Sequence, residues 1–204
     1  MAAIKNVKQD FLSLRPRENP FVADDSVRGI MLMIDSPGGT VGGVPELASV
    51  VAEARQSKRI VAYVDGMACS AAYWIASQAD EIVVSESASV GSVGVYLPML
   101  DSSRAMEMSG LKQQVIKSGI FKGMGLPGTS LTPEQLSFLQ QSVTSLHDDF
   151  MQAVNSGRGR KLKPDDMQGQ DFSGRDAVAR GFADEVGGFD LALSELETLI
   201  RVKR

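Results

Sequence analysis

The stretch VDGMACSAAYWIASQADEIVV, Val64–Val84, sets Ser70 among small residues, at the junction of an apolar run and an apolar helical pattern. The residues just before it, RIVAYVD (Arg59–Asp65), form a short, continuous apolar run rich in β-branched and aromatic side chains, which reads as a buried strand. SAAYWIASQA then reads as a helix and EIVV as a third strand. Upstream, RGIMLMID (Arg28–Asp35) is another apolar run, predicted to be buried on both faces; it ends at SPGG and precedes a helical pattern over Val44–Gln56. Strands alternating with helices are the signature of an α/β fold.

Downstream, SVGVYL and KQQVIKS are predicted strands on either side of a helix near Ser102–Ser109, and the Gly/Pro-rich loop GIFKGMGLPGTS follows. Thr132 as N-cap, Pro133 at N1 and Gln135 at N3 form a capping-box pattern. From there Leu136, Leu139, Val143, Leu146, Phe150 and Val154 recur at steps of three and four, which predicts one long amphipathic helix closed by the basic turn GRGRKLK. Residues 1–25 are polar, contain Pro16 and Pro20, and read as an arm, the least ordered part of the chain. Residues 26–204 read as a single domain.

At 204 residues and 43% apolar composition the chain can bury a full core. Its 21 Lys and Arg against 25 Asp and Glu give a net charge of −4, with no global electrostatic reason to bind nucleic acid. Cys69 is the only cysteine, so neither an intrachain disulfide nor a multi-cysteine metal site can form, and no cofactor is expected. The first residues lack the apolar region of a signal peptide, and no apolar run reaches the length of a membrane span. As given, the chain is expected to be soluble and cytoplasmic, or to be the soluble part of a longer membrane-anchored protein.

Several patterns have ordinary explanations. GMGLPG (Gly123–Gly128) matches a dinucleotide fingerprint, but Pro127 interrupts it and no helix opens on its last glycine. SGLK (Ser109–Lys112) lacks the companion elements of penicillin-binding enzymes. His147, the only histidine, sits at the edge of the long helix's apolar stripe and reads as structural. The run Arg158, Arg160, Lys161, Lys163 reads as a solvated surface loop, and Tyr73 and Trp74 read as core aromatics.

Two features point to chemistry. In DSPGGTVGG, adjacent glycines at a strand end let backbone N–H groups approach a ligand oxygen; an ordinary strand-to-helix turn is the alternative. Ser70 stands where the Ala71 N–H and the positive end of a helix dipole face whatever its hydroxyl attacks; a plain serine N-cap is the alternative. Together they suggest an oxyanion hole and a nucleophile without a histidine base, which leaves lysine, with Lys117 and Lys122 in VIKSGIFKGMG as candidates. Ile120 and Phe121 would help exclude water around Lys122.

In SVRGIMLMIDSPGG, VDGMACSAAYWIASQADEIVV, GSVGV, VIKSGIFKGMG, the Thr132 helix with GRG, and FSGRDAVARGFADEVGG, the chain resembles the signal peptide peptidase A family of serine peptidases, over roughly Asp24–Leu193. The resemblance implies a ClpP/crotonase-like fold of stacked βαβ units with a long C-terminal helical arm. It implies Ser70 as nucleophile and Lys122 as general base, with Lys117 as the fallback base. Gly38, Gly39 and the Ala71 N–H would line the oxyanion hole, and Ser92 would orient the lysine. It also implies an extended peptide or protein substrate, signal-peptide remnants or capsid and scaffold proteins among them, and a homo-oligomeric ring or dome whose contacts include the long helix and the basic arm. Three departures stand out: Ala71 and Ala72 where the family usually has two glycines, no strand and helix pattern before RGIMLMID, and no membrane anchor. Two other readings of the same fold are a non-catalytic oligomeric scaffold and a crotonase-type acyl-CoA enzyme.

Overall fold

A computed structural model of the chain describes residues 20–202, so most of the arm expected over residues 1–25 lies outside the described residues. These residues fall into two compact units, one running to Gly94 and resuming at Asp149, the other spanning Val95–Asp148.

The first unit holds α1 (Pro20–Ala23), β1 (Gly29–Ser36), α2 (Val44–Ala54), β2 (Arg59–Cys69), α3 (Ala71–Ala76), β3 (Glu81–Val84) and β4 (Ser89–Gly91). After Asp149 come β5 (Asp171–Ser173), α6 (Gly174–Arg180), β6 (Glu185–Val186) and α7 (Phe189–Val202). β2 is the axis of a six-stranded sheet, parallel to β1, β3 and β4; β6 continues parallel beside β3, and β5 runs antiparallel to β4. Ile60–Val64 of β2 are buried, as the unbroken apolar run requires. β1 differs from expectation. Among the described residues it pairs only with β2, so it is half-buried rather than buried on both faces, and Met33 is 55% exposed.

A bulge in β2 positions the site. β1 and β2 pair residue for residue as far as Ile34 and Val64, then resume at Ser36 and Ala68, two steps along β1 against four along β2. The Asp35 carboxylate fills this bulge, accepting the Met67 N–H at 3.1 Å, and a side chain at Gly66 would collide with it. Below the bulge β2 pairs with β3 at Val61–Val64; beyond it, Met67–Cys69 pairs with β4. The sheet therefore curls at the strand end that carries Ser70.

Helices cover the sheet. Val61, Tyr63 and Val83 form a cluster with Ala192 and Leu196 of α7. Tyr73 and Trp74 are core residues as expected: the Tyr73 hydroxyl donates to the Phe182 carbonyl at 2.9 Å, and Trp74 stacks on Phe150 with ring centroids 4.4 Å apart. Burial pushes the Tyr73 hydroxyl well above the ordinary tyrosine range. The basic run is not wholly solvated. Arg158 is buried and pairs with Asp184 at 2.6 Å, and the exposed Arg160 reaches the same carboxylate oxygen at 2.7 Å. The other Asp184 oxygen accepts the Ile82 N–H at 2.8 Å, so this one carboxylate ties the basic turn to β3.

The second unit holds α4 (Ser103–Met108) and most of α5 (Pro133–Gly157), whose last turns belong to the first unit. The capping box at its start is complete: Thr132 Oγ1 accepts the Gln135 N–H at 3.2 Å, and Gln135 Oε1 accepts the Thr132 N–H at 3.0 Å. Neither strand expected here forms. Ser92 takes φ 52°, which ends β4 at Gly91, so the SVGVYL strand is replaced by β4 just upstream. Lys112–Ser118 has no pairing strand among the described residues, and Ile116 stands fully exposed. Along α5 the apolar stripe is buried at Phe150 and Val154 but open at Leu136, which is 53% exposed; His147 is half-buried.

Candidate active site

Ser70 occupies the N-cap position of α3 but does not act as a cap. Its backbone lies at φ 53°, ψ −124°, and its side chain makes no capping hydrogen bond. For a non-glycine residue such a conformation costs about 1–3 kcal/mol and persists only where its surroundings enforce it. The enforcement is visible: Cys69 pairs with Gly91, the Ser70 N–H donates to the Gly91 carbonyl at 2.9 Å, and the Ser70 carbonyl accepts the Trp74 N–H at 3.0 Å. A strand that stops in a strained turn and opens directly into a helix sets the half-buried Ser70 at the sheet's end, an arrangement that a serine nucleophile can use.

The SPGG strand end meets this turn through Gly38. At φ 96°, a Cβ there would stand 2.7 Å from both the Cys69 carbonyl oxygen and Ser70 Cβ, and 2.9 Å from the Ala71 nitrogen. Only glycine allows this approach. The Gly38 N–H is committed to Ser36 Oγ at 3.2 Å, whereas the Gly39 and Ala71 N–H groups make no hydrogen bond among the described residues. Gly39 also borders open space. Two backbone donors are thus left available, one from each strand end.

Ser92 is, among the described residues, the other non-glycine residue held at positive φ, and its N–H donates to the Gln170 carbonyl at 2.7 Å. In the residue before Ser70, Cys69 Sγ donates to the Ser89 carbonyl at 3.5 Å, and Ser89 Oγ donates to Asp171 Oδ2 at 2.7 Å. Burial pushes the Cys69 thiol up, which keeps it protonated and a poor nucleophile beside Ser70. The lysines lie in the second unit. The exposed Lys122 sits in a turn closed by its own N–H on the Gly119 carbonyl at 3.1 Å, and Lys117 Nζ donates to the Ile120 carbonyl at 3.1 Å. Among the described residues no group of three or more His, Cys, Asp or Glu side chains is placed to hold a metal ion.

The structure therefore brings together Gly38, Ser70 and Ala71. Reading the sequence missed the Asp35–Gly66 bulge that aims them. Its signal was a glycine inside a strand run, Asp65–Gly66, which marks a bulge as readily as a strand end.

Residues 52–203, three quarters of the chain and the span holding Ser70, Ser92, Lys117 and Lys122, match peptidase family S49. The chain belongs to that family. A protein of Methanocaldococcus jannaschii provisionally named a protease is 37% identical over 183 residues, 88% of this chain and 58% of that protein. The capsid assembly protease C of Escherichia phage lambda is 32% identical over 165 residues, 80% of this chain and 38% of its own length. A protein of Enterococcus faecium provisionally named signal peptide peptidase SppA is 30% identical over 180 residues, 85% of this chain and 52% of that protein. This S49 chain thus spans between about two fifths and three fifths of the length of these relatives. Its α/β sheet, curled at β2 and followed by a C-terminal helix, is the fold expected for the family.

Proposed function

We propose that this S49 chain is a serine endopeptidase in which Ser70 is the nucleophile and Lys122 the general base, with residues 26–204 forming one catalytic module. The observation that carries the reading is the strained, non-capping backbone of Ser70 with Gly38 pressed against it. A serine kept for helix capping would relax to ordinary N-cap geometry and bond to the first turn. Family membership favours this over an acyl-CoA enzyme. Against a non-catalytic scaffold stands the strain itself, which has no use without a reaction at Ser70.

In the proposed reaction Lys122 takes the proton from the Ser70 hydroxyl as its oxygen adds to a peptide carbonyl. The oxyanion is held by the Gly39 and Ala71 N–H groups, while Gly38 gives the close backbone approach. The lysine proton passes to the leaving amine, and water, deprotonated by the same lysine, hydrolyses the acyl-enzyme. Ser92 orients Lys122, and Lys117, whose ammonium bonds to a neighbouring carbonyl, is the weaker candidate for the base. The substrate is an extended polypeptide added beside the SPGG strand end, with small or apolar side chains beside Ala71 and Ala72. Signal-peptide remnants and capsid or scaffold proteins are the two substrate classes proposed. The working form is a homo-oligomer in which a second copy covers the apolar surface of Val95–Asp148. No described helix is long and apolar enough to cross a membrane.

Reaction with a fluorophosphonate, read by intact mass and peptide mapping, tests the assignment. One adduct on Ser70 is expected, absent in Ser70→Ala and slowed at least about a hundredfold in Lys122→Ala. No adduct on a folded wild-type chain, or an adduct at another residue, would overturn it.

A further inference from the structure

The strain at Ser70 and Ser92 is maintained from a segment that has no part in the proposed chemistry. Ser70 depends on the Gly91 carbonyl, and Gly91, at φ 123°, pairs with Asp171 so closely that a Cβ would lie 2.9 Å from the Gln170 carbonyl oxygen. That same oxygen accepts the Ser92 N–H at 2.7 Å, and one residue away the Gly169 N–H donates to the Val93 carbonyl at 3.0 Å. The turn 164–170 therefore grips the GSVG segment on both sides of Ser92.

The Gln170 side chain fastens this turn. Its Nε2 donates to the Asp165 carbonyl at 2.7 Å, and its Oε1 accepts the Gln168 N–H at 2.8 Å, so one amide closes the turn in both directions. The neighbouring residues are anchored too: Asp166 pairs with Arg180, whose guanidinium lies 4.5 Å from the centre of the Phe172 ring.

We infer that Gln170 is a positioning residue for the reaction at Ser70: its amide rigidifies the 164–170 turn so that its own carbonyl fixes Ser92 and, beside it, the Gly91 carbonyl that holds Ser70. The inference rests on Ser70 as nucleophile and Ser92 as the residue orienting the lysine. Without the amide the turn keeps its packing but loses the two hydrogen bonds that the Gln170 side chain makes across it. Ser92 and Gly91 then sample relaxed backbone, and the nucleophile and base spend less time aligned.

The test uses the full chain with Gln170→Met, which keeps length and volume but neither hydrogen bond, Gln170→Glu, which keeps only the acceptor, and Gln168→Ala, which removes a different bond of the same turn, to the Pro164 carbonyl. Fluorophosphonate labelling of Ser70 is followed against pH, with peptide kcat and KM and the thermal midpoint alongside. Gln170→Met should label about tenfold slower, with kcat reduced, KM little changed and the acid limb of the pH profile moved upward. Gln170→Glu should be intermediate, and Gln168→Ala should match wild type in rate and profile. Wild-type rate and profile in Gln170→Met would overturn the inference, as would an equal loss in Gln168→Ala, which would mark the effect as turn stability alone. Should Gln170→Met not fold, wild-type behaviour of Gln170→Glu would overturn it. A wild-type chain with no Ser70 adduct would instead bring down the peptidase reading, and this inference with it.

Discussion

The two units use the same apolar side chains for different ends. Every buried core residue described, from Val44 to Leu196, belongs to the first unit, and none lies within Val95–Asp148. Conversely, twelve of the sixteen exposed large apolar residues described, Tyr96, Leu100, Met108 and Ile116 among them, lie within Val95–Asp148. A stretch of 54 residues with this much uncovered apolar surface exceeds the scattered exposure of ordinary monomers. The contrast teaches that hydrophobicity in this sequence builds a buried core in one region and is left at the surface in the other, where the proposed oligomer would cover it.

The largest effect is expected in the first unit's core. Phe150→Ala removes a ring stacked on Trp74 and leaves a cavity under α3, a loss of about 3–5 kcal/mol in unfolding free energy by denaturant titration. The matching substitution in the second unit is Leu100→Asp, at a side chain 84% exposed. Here the change should be in mass: light scattering should show dissociation of the proposed oligomer, while the unfolding free energy of the monomer moves within about 0.5 kcal/mol. If Leu100→Asp were as destabilising as Phe150→Ala at equal mass, Leu100 would be part of an internal core and the comparison would fail.

The difference between the units also explains what the sequence could reveal. Where burial or capping chemistry decides, residue type and spacing report structure directly: Arg59–Asp65 is a strand with a buried centre, Thr132 and Gln135 cap α5, and Tyr73 and Trp74 are core. Where backbone conformation decides, residue type says little. Nothing about a serine at position 92 announces φ 52°, so the pattern reads as a strand starting at Ser92 where the structure ends one at Gly91. In Lys112–Ser118 the β-branched pair Val115 and Ile116 suits a strand, but a strand also needs a partner, which residue type alone does not supply. At the site, the order of the segments points to Ser70, but that this serine is not a hydrogen-bonding N-cap is visible only in its backbone geometry. Gln170 left no trace, because its contact with Ser92 is a carbonyl, which every residue type possesses.

The smallest effect separates the units by the sign of their response to pH. Glu81, in β3, has its carboxyl raised above the usual 4.5, first by burial and then by the surrounding acids Glu195, Asp184, Glu185 and Asp80. Its ionised form opposes folding, so that penalty is present above the folded pKa and disappears as pH falls to 4.5. Asp101, in the second unit, is held below 3.8 chiefly by the Ser103 hydroxyl, then by the Ser103 N–H at 2.9 Å and by Ser130. Its ionised form favours folding, a contribution present above 3.8 and lost as pH falls through the lowered pKa. Glu81→Gln should therefore raise the thermal midpoint at neutral pH, with the gain vanishing toward pH 4.5, while Asp101→Asn should lower it, with the loss vanishing below pH 3.8. Thermal scans from pH 3 to pH 7 read both curves. Slopes of the same sign would show that Glu81 is solvated like a surface acid, and that the first unit's sheet is more open at β3 than its packing implies.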